Sequence, residues 1–414
     1  MTRVGSNGSG GSKSAEQLSP VEASSCLHLA QSIEHDLIHW RRDFHIHPEL
    51  AFNEHRSAGI IAEHLRSLGY AVETGIAGTG VVGTLQGLPG GRKLILRFDM
   101  DALRITETTG KPYASQQEGV MHACGHDGHM AIGMGVARLV AEAPADFPGT
   151  VIFLFQPAEE GEGGAERMLE TGILERLQPD AAVALHLWNE LPIETLAVTP
   201  GPVMAGADRF VIVLRGEGGH AALPQRAADP VPAAAAMIQA LQTIPAREVD
   251  PRETLVLGVS MVHGGTAFNV IPDRVELEGT LRYFSRNIRE VVLKRIQSIV
   301  DGIAAAYGIS AEFELQAVAP PVTNQAELAA VIKHVTQAVF PGFECLDGYR
   351  VMGSEDMAFF LERVPGCYLF LGSNNADRGL TATHHSPDFD FDERALVIGT
   401  AWLLAITRRY LVPS

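Results

Sequence analysis

Residues 94–101 read Leu-Ile-Leu-Arg-Phe-Asp-Met-Asp, a near-continuous apolar run that ends in two acids, Asp99 and Asp101. Residues 151–160 repeat the design, with Val-Ile-Phe-Leu-Phe running into Gln-Pro-Ala and then Glu159 and Glu160. Residues 181–186, Ala-Ala-Val-Ala-Leu-His, close on His186. Short apolar runs separated by helix-like or loop segments predict buried parallel strands, and so an α/β fold. Tyr368-Leu369-Phe370-Leu371 supplies a fourth run near the end. Ligands in open α/β sheets bind beyond the carboxyl ends of the strands. Three strands are therefore expected to deliver acids and a histidine to one rim.

Outward from these runs, the spacing predicts a helix over about Pro20 to Ile46, stopped by His47-Pro48-Glu49. A second helix follows through Ile60, Ile61, His64, Leu65 and Leu68, with Gly69 as its C-terminal cap. Gly78-Thr79-Gly80-Val81-Val82-Gly83 matches a dinucleotide-binding G-x-G-x-x-G. That motif needs a helix starting there. The chain instead continues as a strand and a turn, so the stretch reads as a hairpin and a nicotinamide oxidoreductase is rejected.

The middle of the chain changes character. Strands are predicted at Phe210–Leu214, Thr254–Met261, Arg274–Tyr283 and Ala311–Gln316. Helices are predicted from Asp229 to Leu241, capped by Asp229, and from Ile288 to Ile303, with Asn287 and Glu290 as a capping pair and Gly308 as the stop. The order β-α-β-β-α-β is that of a ferredoxin-like domain. The expected organisation is a flexible tail over 1–19, a catalytic domain in two pieces, 20–204 and 318–414, and an inserted lid over 205–317.

The 414 residues are 46% apolar, enough for two cores. The net charge of −17, with no basic run, argues against nucleic acid and anionic membranes as partners. No apolar stretch is long enough to span a bilayer. Cys26, Cys124, Cys345 and Cys367 show no C-x-x-C spacing. A cytoplasmic location is expected.

The chemistry concentrates in Met121-His122-Ala123-Cys124-Gly125-His126-Asp127-Gly128-His129. Thiolate and imidazole are both good ligands for zinc and its neighbours, and one intervening glycine lets Cys124 and His126 address one point from a tight turn. A lone Cys-x-His is more often a buried cysteine near loop histidines. A lone Glu-Glu is more often a solvated loop, while His186 alone reads equally as a satisfied core histidine and His385 alone can be read as a surface loop residue. Together they supply Cys124, His126, Glu160, His186 and His385 as ligands, with Glu159 left over as a base. Five ligands exceed one tetrahedral site and favour two metals.

The motifs RRDFHIHPEL, LRFDMDAL, MHACGHDGH, FLFQPAEEG, ALHLW, GEGGHAALP, AFNVIPD, GTLR, MGSEDMAFF and HHSPDFDFDE occur in that order. In this the chain resembles the M20 metallopeptidases, and among them subfamily D, which holds hippurate hydrolases, N-acyl-amino-acid deacylases and auxin-conjugate hydrolases. The resemblance implies a zinc-peptidase-like α/β catalytic domain with a smaller lid. It implies two divalent metal ions per chain, zinc or manganese, with cobalt or nickel as alternatives. Cys124, His126, Glu160, His186 and His385 fall on metal ligands and Glu159 on the general base. Asp101 falls on an acid that orients a histidine ligand. His220 falls on a lid histidine that polarises the scissile carbonyl, and Asn269 and Arg282 on substrate-binding positions. The implied reaction is hydrolysis of an N-acyl amino acid, with a homodimer through the lid, or a tetramer, as the assembly. The alternatives are a dipeptidase, an N-acetyl-diaminopimelate-type deacetylase, and a metal-dependent binding protein without catalysis.

Overall fold

The computed structural model describes residues 20–412, so the tail expected over 1–19 lies outside the described residues. Among the described residues, eight strands form one mixed sheet. Its order is Ala71–Ile76, Gly80–Gln86, Pro148–Gln156, Leu88–Asp99, Ala181–Pro192, Gly366–Asn374, Thr195–Ala197 and Glu344–Leu346. The four strands predicted from apolar runs are the parallel centre of this sheet. The glycine-rich stretch is a hairpin: Ala71–Ile76 pairs antiparallel with Gly80–Gln86 across a turn in which Gly78 has φ 105°.

Both sheet faces are covered, which is why the central strands are apolar throughout. Leu94, Leu96, Phe98, Phe153 and Phe155 pack on one face against Met130 and Met134 of helix His126–Glu142 and Trp402 and Leu404 of helix Arg394–Leu411. Ile95, Ile152 and Leu154 face the other way, onto Met168, Leu169, Ile173, Met357 and Phe360. Helix His126–Glu142 returns the chain from Leu88–Asp99 to Pro148–Gln156 over the first face. Short helices Gly164–Glu170 and Ile173–Leu177 carry it on to Ala181–Pro192 over the second. Connections that leave neighbouring strands on opposite faces open a crevice at their carboxyl ends.

A separate four-stranded antiparallel sheet spans Gly206 to Ala319, ordered Leu255–Gly264, Arg274–Tyr283, Gly206–Arg215, Ser310–Ala319. Helices Pro230–Arg247 and Arg286–Tyr307 cover one face, packing Met237, Leu241, Val292 and Ile296 on Phe210, Ile212, Leu277 and Leu281. This is the ferredoxin-like lid. Asp229 caps the first helix by accepting from Val231 N–H at 2.9 Å, and Gly308 ends the second in the left-handed region.

Three local expectations need correction. The first helix is two, Pro20–Ser32 and Glu34–Ile46, where the Ser32 hydroxyl bonds Leu29 C=O and competes with the helical ladder. The cap of helix Arg286–Tyr307 is Ser285, extended at φ −114° with its hydroxyl accepting from Ile288 N–H; Asn287 and Glu290 lie inside the helix. His186 does not end its strand. The strand continues to Pro192, but pairing with Leu88–Asp99 stops at Ala184, so His186 lies just beyond the last paired rung on that side.

Candidate metal centre

The Cys-Gly-His turn sits at the start of helix His126–Glu142, with Gly125 at φ 89° as the residue before it. A side chain is rarely tolerated in that conformation, and the turn is what lets Cys124 and His126 face the same space. Glu159 and Glu160 follow Ala158, held in the left-handed region at φ 55° with its N–H donated to Glu54 at 3.0 Å. His385 is also left-handed, at φ 63°, and anchored by its own N–H to Ala123 C=O at 2.8 Å. Two strained non-glycine residues at one site, each over-determined by a hydrogen bond, are the kind of backbone that function retains.

The five expected ligands converge. Cys124 Sγ lies 3.6 Å from His186 Nε2, His385 Nε2 3.2 Å from Glu160 Oε1, and His126 Nε2 3.9 Å from Glu160 Oε1. Ligand atoms of Cys124, His126 and His186, of Cys124, Glu160 and His385, and of His126, Glu159 and Glu160 fall within 4.8 Å of one another in each group. Two of the three histidines have the far nitrogen fixed. His126 Nδ1–H donates to Asp101 C=O at 2.9 Å and His186 Nδ1–H to Leu187 C=O at 2.6 Å, leaving Nε2 of both for the cluster. Among the described residues, His126 Nε2 is buried with no hydrogen-bond partner. Buried polar atoms without partners cost free energy unless something satisfies them. Thiolate, imidazole and carboxylate oriented at one space fit a pair of divalent cations.

Asp101 acts on His126 chiefly through its main-chain carbonyl. Its carboxylate Oδ1 is 3.4 Å from His126 Nδ1, while Oδ2 accepts from Glu160 N–H at 3.1 Å. It thus joins the two ligand-bearing loops.

Burial pushes the Cys124 thiol well up, and the Glu160 and Glu159 carboxylates push it further. A dication beside it reverses that balance, because a coordinating thiol is deprotonated outright. Burial lowers His126, yet Asp99, Asp101 and Glu160 outweigh it and hold the imidazole at about 10. Burial pulls His186 well below the usual histidine range, with His129 and His384 adding to the effect. Glu159 is raised well above the carboxylate range by burial first, then by Glu355, Glu160 and Asp356.

Behind the cluster lies a group the sequence reading left without roles. Arg97, fully buried, donates to Asp99 at 2.8 Å, Asp356 at 2.8 Å and Gln156 at 2.9 Å, and sits 2.9 Å from Glu355. Asp99 and the acids of MGSEDMAFF are legible as motif residues, but only the fold brings them behind Glu159. Arg41 similarly binds Asp127 and Asp390, both at 2.8 Å, beside His45.

The lid residues are not part of this cluster. His220 is exposed on Gly219–His220, which pairs with Val270–Ile271, and its Nδ1 accepts from Ala222 N–H at 3.1 Å. Asn269 is exposed beside it, its C=O accepting from Ala221 N–H at 3.1 Å. Arg282, half-buried, lines a hollow of about 230 Å³ with Asp208, Ser260, Met261 and Glu278. Among the described residues no hydrogen bond or ion pair joins these three to the five clustered side chains.

Residues 95–409 match the family described as Peptidase family M20/M25/M40. The chain belongs to peptidase family M20. Among M20 relatives, an N-acetylcysteine deacetylase of Bacillus subtilis (strain 168) is 37% identical over 367 residues, 88% of this chain and 94% of that protein. An N-acyl-L-amino acid amidohydrolase of Geobacillus stearothermophilus is 41% identical over 300 residues, 72% of this chain and 80% of that one. The crystal structure of the Bacillus subtilis YXEP protein, a dinuclear metal binding peptidase of the M20 family, superimposes with a TM-score of 0.81 at 34% identity, covering 92% of this chain and 99% of that one. The M20 fold, with its mixed sheet and lid, is therefore shared along nearly the whole chain. No helix among the described residues is long and apolar enough to cross a membrane.

Proposed function

We propose that this M20 protein hydrolyses N-acyl amino acids to a carboxylic acid and a free amino acid, using two divalent metal ions held by Cys124, His126, Glu160, His186 and His385. One observation carries the reading: five ligand side chains converge at the sheet rim while a sixth, Glu159, sits buried beside them. Metal binding alone has no use for that sixth group. Zinc or manganese suits the mixed donor set, with cobalt or nickel as alternatives.

When bound, the metal pair supplies Lewis-acid polarisation and lowers the pKa of water from 15.7 to about 7. The chain's own groups do the rest. Glu159 accepts the water's proton and passes it to the leaving amine. His220 donates to the oxyanion, a contact typically worth about 3 kcal/mol. Arg282 clamps the substrate carboxylate, and Asn269, next to His220 at the other end of the lid sheet, contacts another part of the substrate. Burial lowers the pKa of Arg282 and only Asp208 opposes this, so it is a cation with room for an anionic partner. His220 lies outside the cluster within its own chain, which supports a homodimer in which the lid of one copy serves the other. Among the described residues the cysteines form no disulfide, which supports a cytoplasmic location.

The test is amine release from N-acetyl, N-benzoyl and indoleacetyl amino acids, with and without chelator. Chelator-sensitive release from at least one class supports the reading. Absence of release under every added divalent ion sinks it.

A further inference from the structure

His129 carries no role in the reaction above, yet it is buried between the acid that ends one central strand and the backbone of the next. Its Nδ1 lies 2.5 Å from Asp99 Oδ1, and its Nε2 accepts from Leu187 N–H at 2.9 Å. The second bond fixes the tautomer: Nε2 must be bare to accept an amide proton, so Nδ1 carries the hydrogen and donates it to Asp99. Asp99 is held in turn by Arg97 at 2.8 Å. Both ring nitrogens are used, so His129 has no lone pair left for a metal although it stands near His126 and Asp99 in a group of suitable donors.

Leu187 is the residue this chain of bonds grips, and Leu187 also orients His186. Its carbonyl receives His186 Nδ1–H at 2.6 Å, which leaves Nε2 facing Cys124 Sγ at 3.6 Å. On one side the strand has lost its partner here, since pairing with Leu88–Asp99 ends at Ala184, while Gly366–Asn374 stays paired on the other side. The imidazole of His129 takes the place of that missing ladder partner. Gly128 adds a second restraint, since a Cβ there would stand 2.5 Å from the Leu187 side chain.

We infer that His129 is a positioning residue for the metal centre: the line Arg97–Asp99–His129–Leu187 fixes the strand so that His186 presents Nε2, already in the binding tautomer, before metal arrives. The inference rests on His186 being a ligand, as proposed above.

The two amide isosteres of histidine separate the two bonds. Glutamine places an oxygen near the Nε2 position and keeps an acceptor for Leu187 N–H. Asparagine reaches only the Nδ1 position and keeps the donor to Asp99 alone. The measurement is zinc affinity of each purified, metal-stripped full-length protein, by competition with a chelating dye, alongside its melting temperature without metal. Removing an outer partner of a ligand typically costs 10–100-fold in affinity. His129→Asn is expected to lose about that much, and His129→Gln to stay within about threefold of wild type, a split that loss of packing alone does not produce. Equal affinities for Asn, Gln and wild type overturn the inference, as does a loss in Gln matching that in Asn. If the Asn protein does not fold, His129→Ala, which removes both bonds, is compared with Gln: a tenfold loss in Ala with wild-type-like Gln supports the inference, and equal affinities or a tenfold loss in Gln overturn it. Wild-type protein that binds no zinc overturns both this inference and the reading it rests on, whereas tight wild-type binding with no effect at position 129 removes the inference only.

Discussion

At the scale of single residues, the site is organised by what each group is left to do once its other bonds are made. Arg282 is half-buried and, among the described residues, makes no hydrogen bond to a carboxylate, with Asp208 the acid that acts on it, which supports the substrate-binding role the family resemblance implies. Arg282→Ala is expected to raise KM for substrates with a free carboxylate by about 10–100-fold with a smaller change in kcat, given about 1.5–3 kcal/mol for a charged hydrogen bond. An equal rise for the matching carboxamide contradicts the clamp. Arg41 is the opposite case, fully buried and satisfied by Asp127, Asp390 and Glu393. Arg41→Met leaves acids buried unpaired, and should cost about 3–5 kcal/mol in thermal or denaturant unfolding. The same network sets a pH dependence. Burial alone would raise Asp127, but Arg41 and then His45 outweigh it and hold its carboxyl below the ordinary range. A depressed acid contributes stability that is complete above its unfolded pKa, about 3.9, and is lost progressively as pH falls from there through the lower folded pKa. Metal-free wild type should therefore lose stability below about pH 5. Arg41→Met should show a shallower decline; parallel curves for the two proteins remove this network as the cause.

At the scale of elements, strand ends and helix starts do the positioning. The helix His126–Glu142 begins at a left-handed Gly125. Gly125→Ala forces a side chain into that conformation at about 1–2 kcal/mol and should weaken metal binding together with thermal stability. Unchanged metal affinity would detach the turn from the site. This is also where the sequence was readable and where it was not. Apolar runs such as Leu94–Phe98 and Val151–Phe155 announce parallel strands because both their faces are buried. Asp99, Glu159 and Glu160 stand out because charge interrupts such a run. His186 as a strand-terminal residue was a misreading, since how far a strand outlasts its neighbour depends on pairing register. The cap at Ser285 was missed because Asn287 mimics a cap equally well until the backbone is seen. Arg97, Glu355, Asp356 and His129 gave no role in the sequence, because each acts through partners distant along the chain.

At the scale of the whole molecule, the lid is a separate sheet whose second face stays open, with Met261 44% and Val262 56% exposed on its edge strand and Phe268 wholly exposed near Asn269. An uncovered apolar edge beside proposed substrate-binding residues fits a symmetric partner. If His220 serves the other copy, two inactive proteins should rescue one another. Mixing and refolding His220→Ala with Glu159→Gln is expected to restore about a quarter of wild-type activity, because a random mixture gives half heterodimers with one intact site of two. No recovery in a mixture shown to exchange subunits would confine His220 to its own chain.

The central claim is that five side chains hold the metal pair and Glu159 moves the proton. It is tested most directly by measuring metal content and turnover together in Glu159→Gln and wild type. The account predicts about two metals per chain in both proteins, with turnover in the variant reduced by at least 10²–10⁴-fold. Undiminished turnover in Glu159→Gln, or wild-type protein that hydrolyses its substrate while holding no metal, would contradict it.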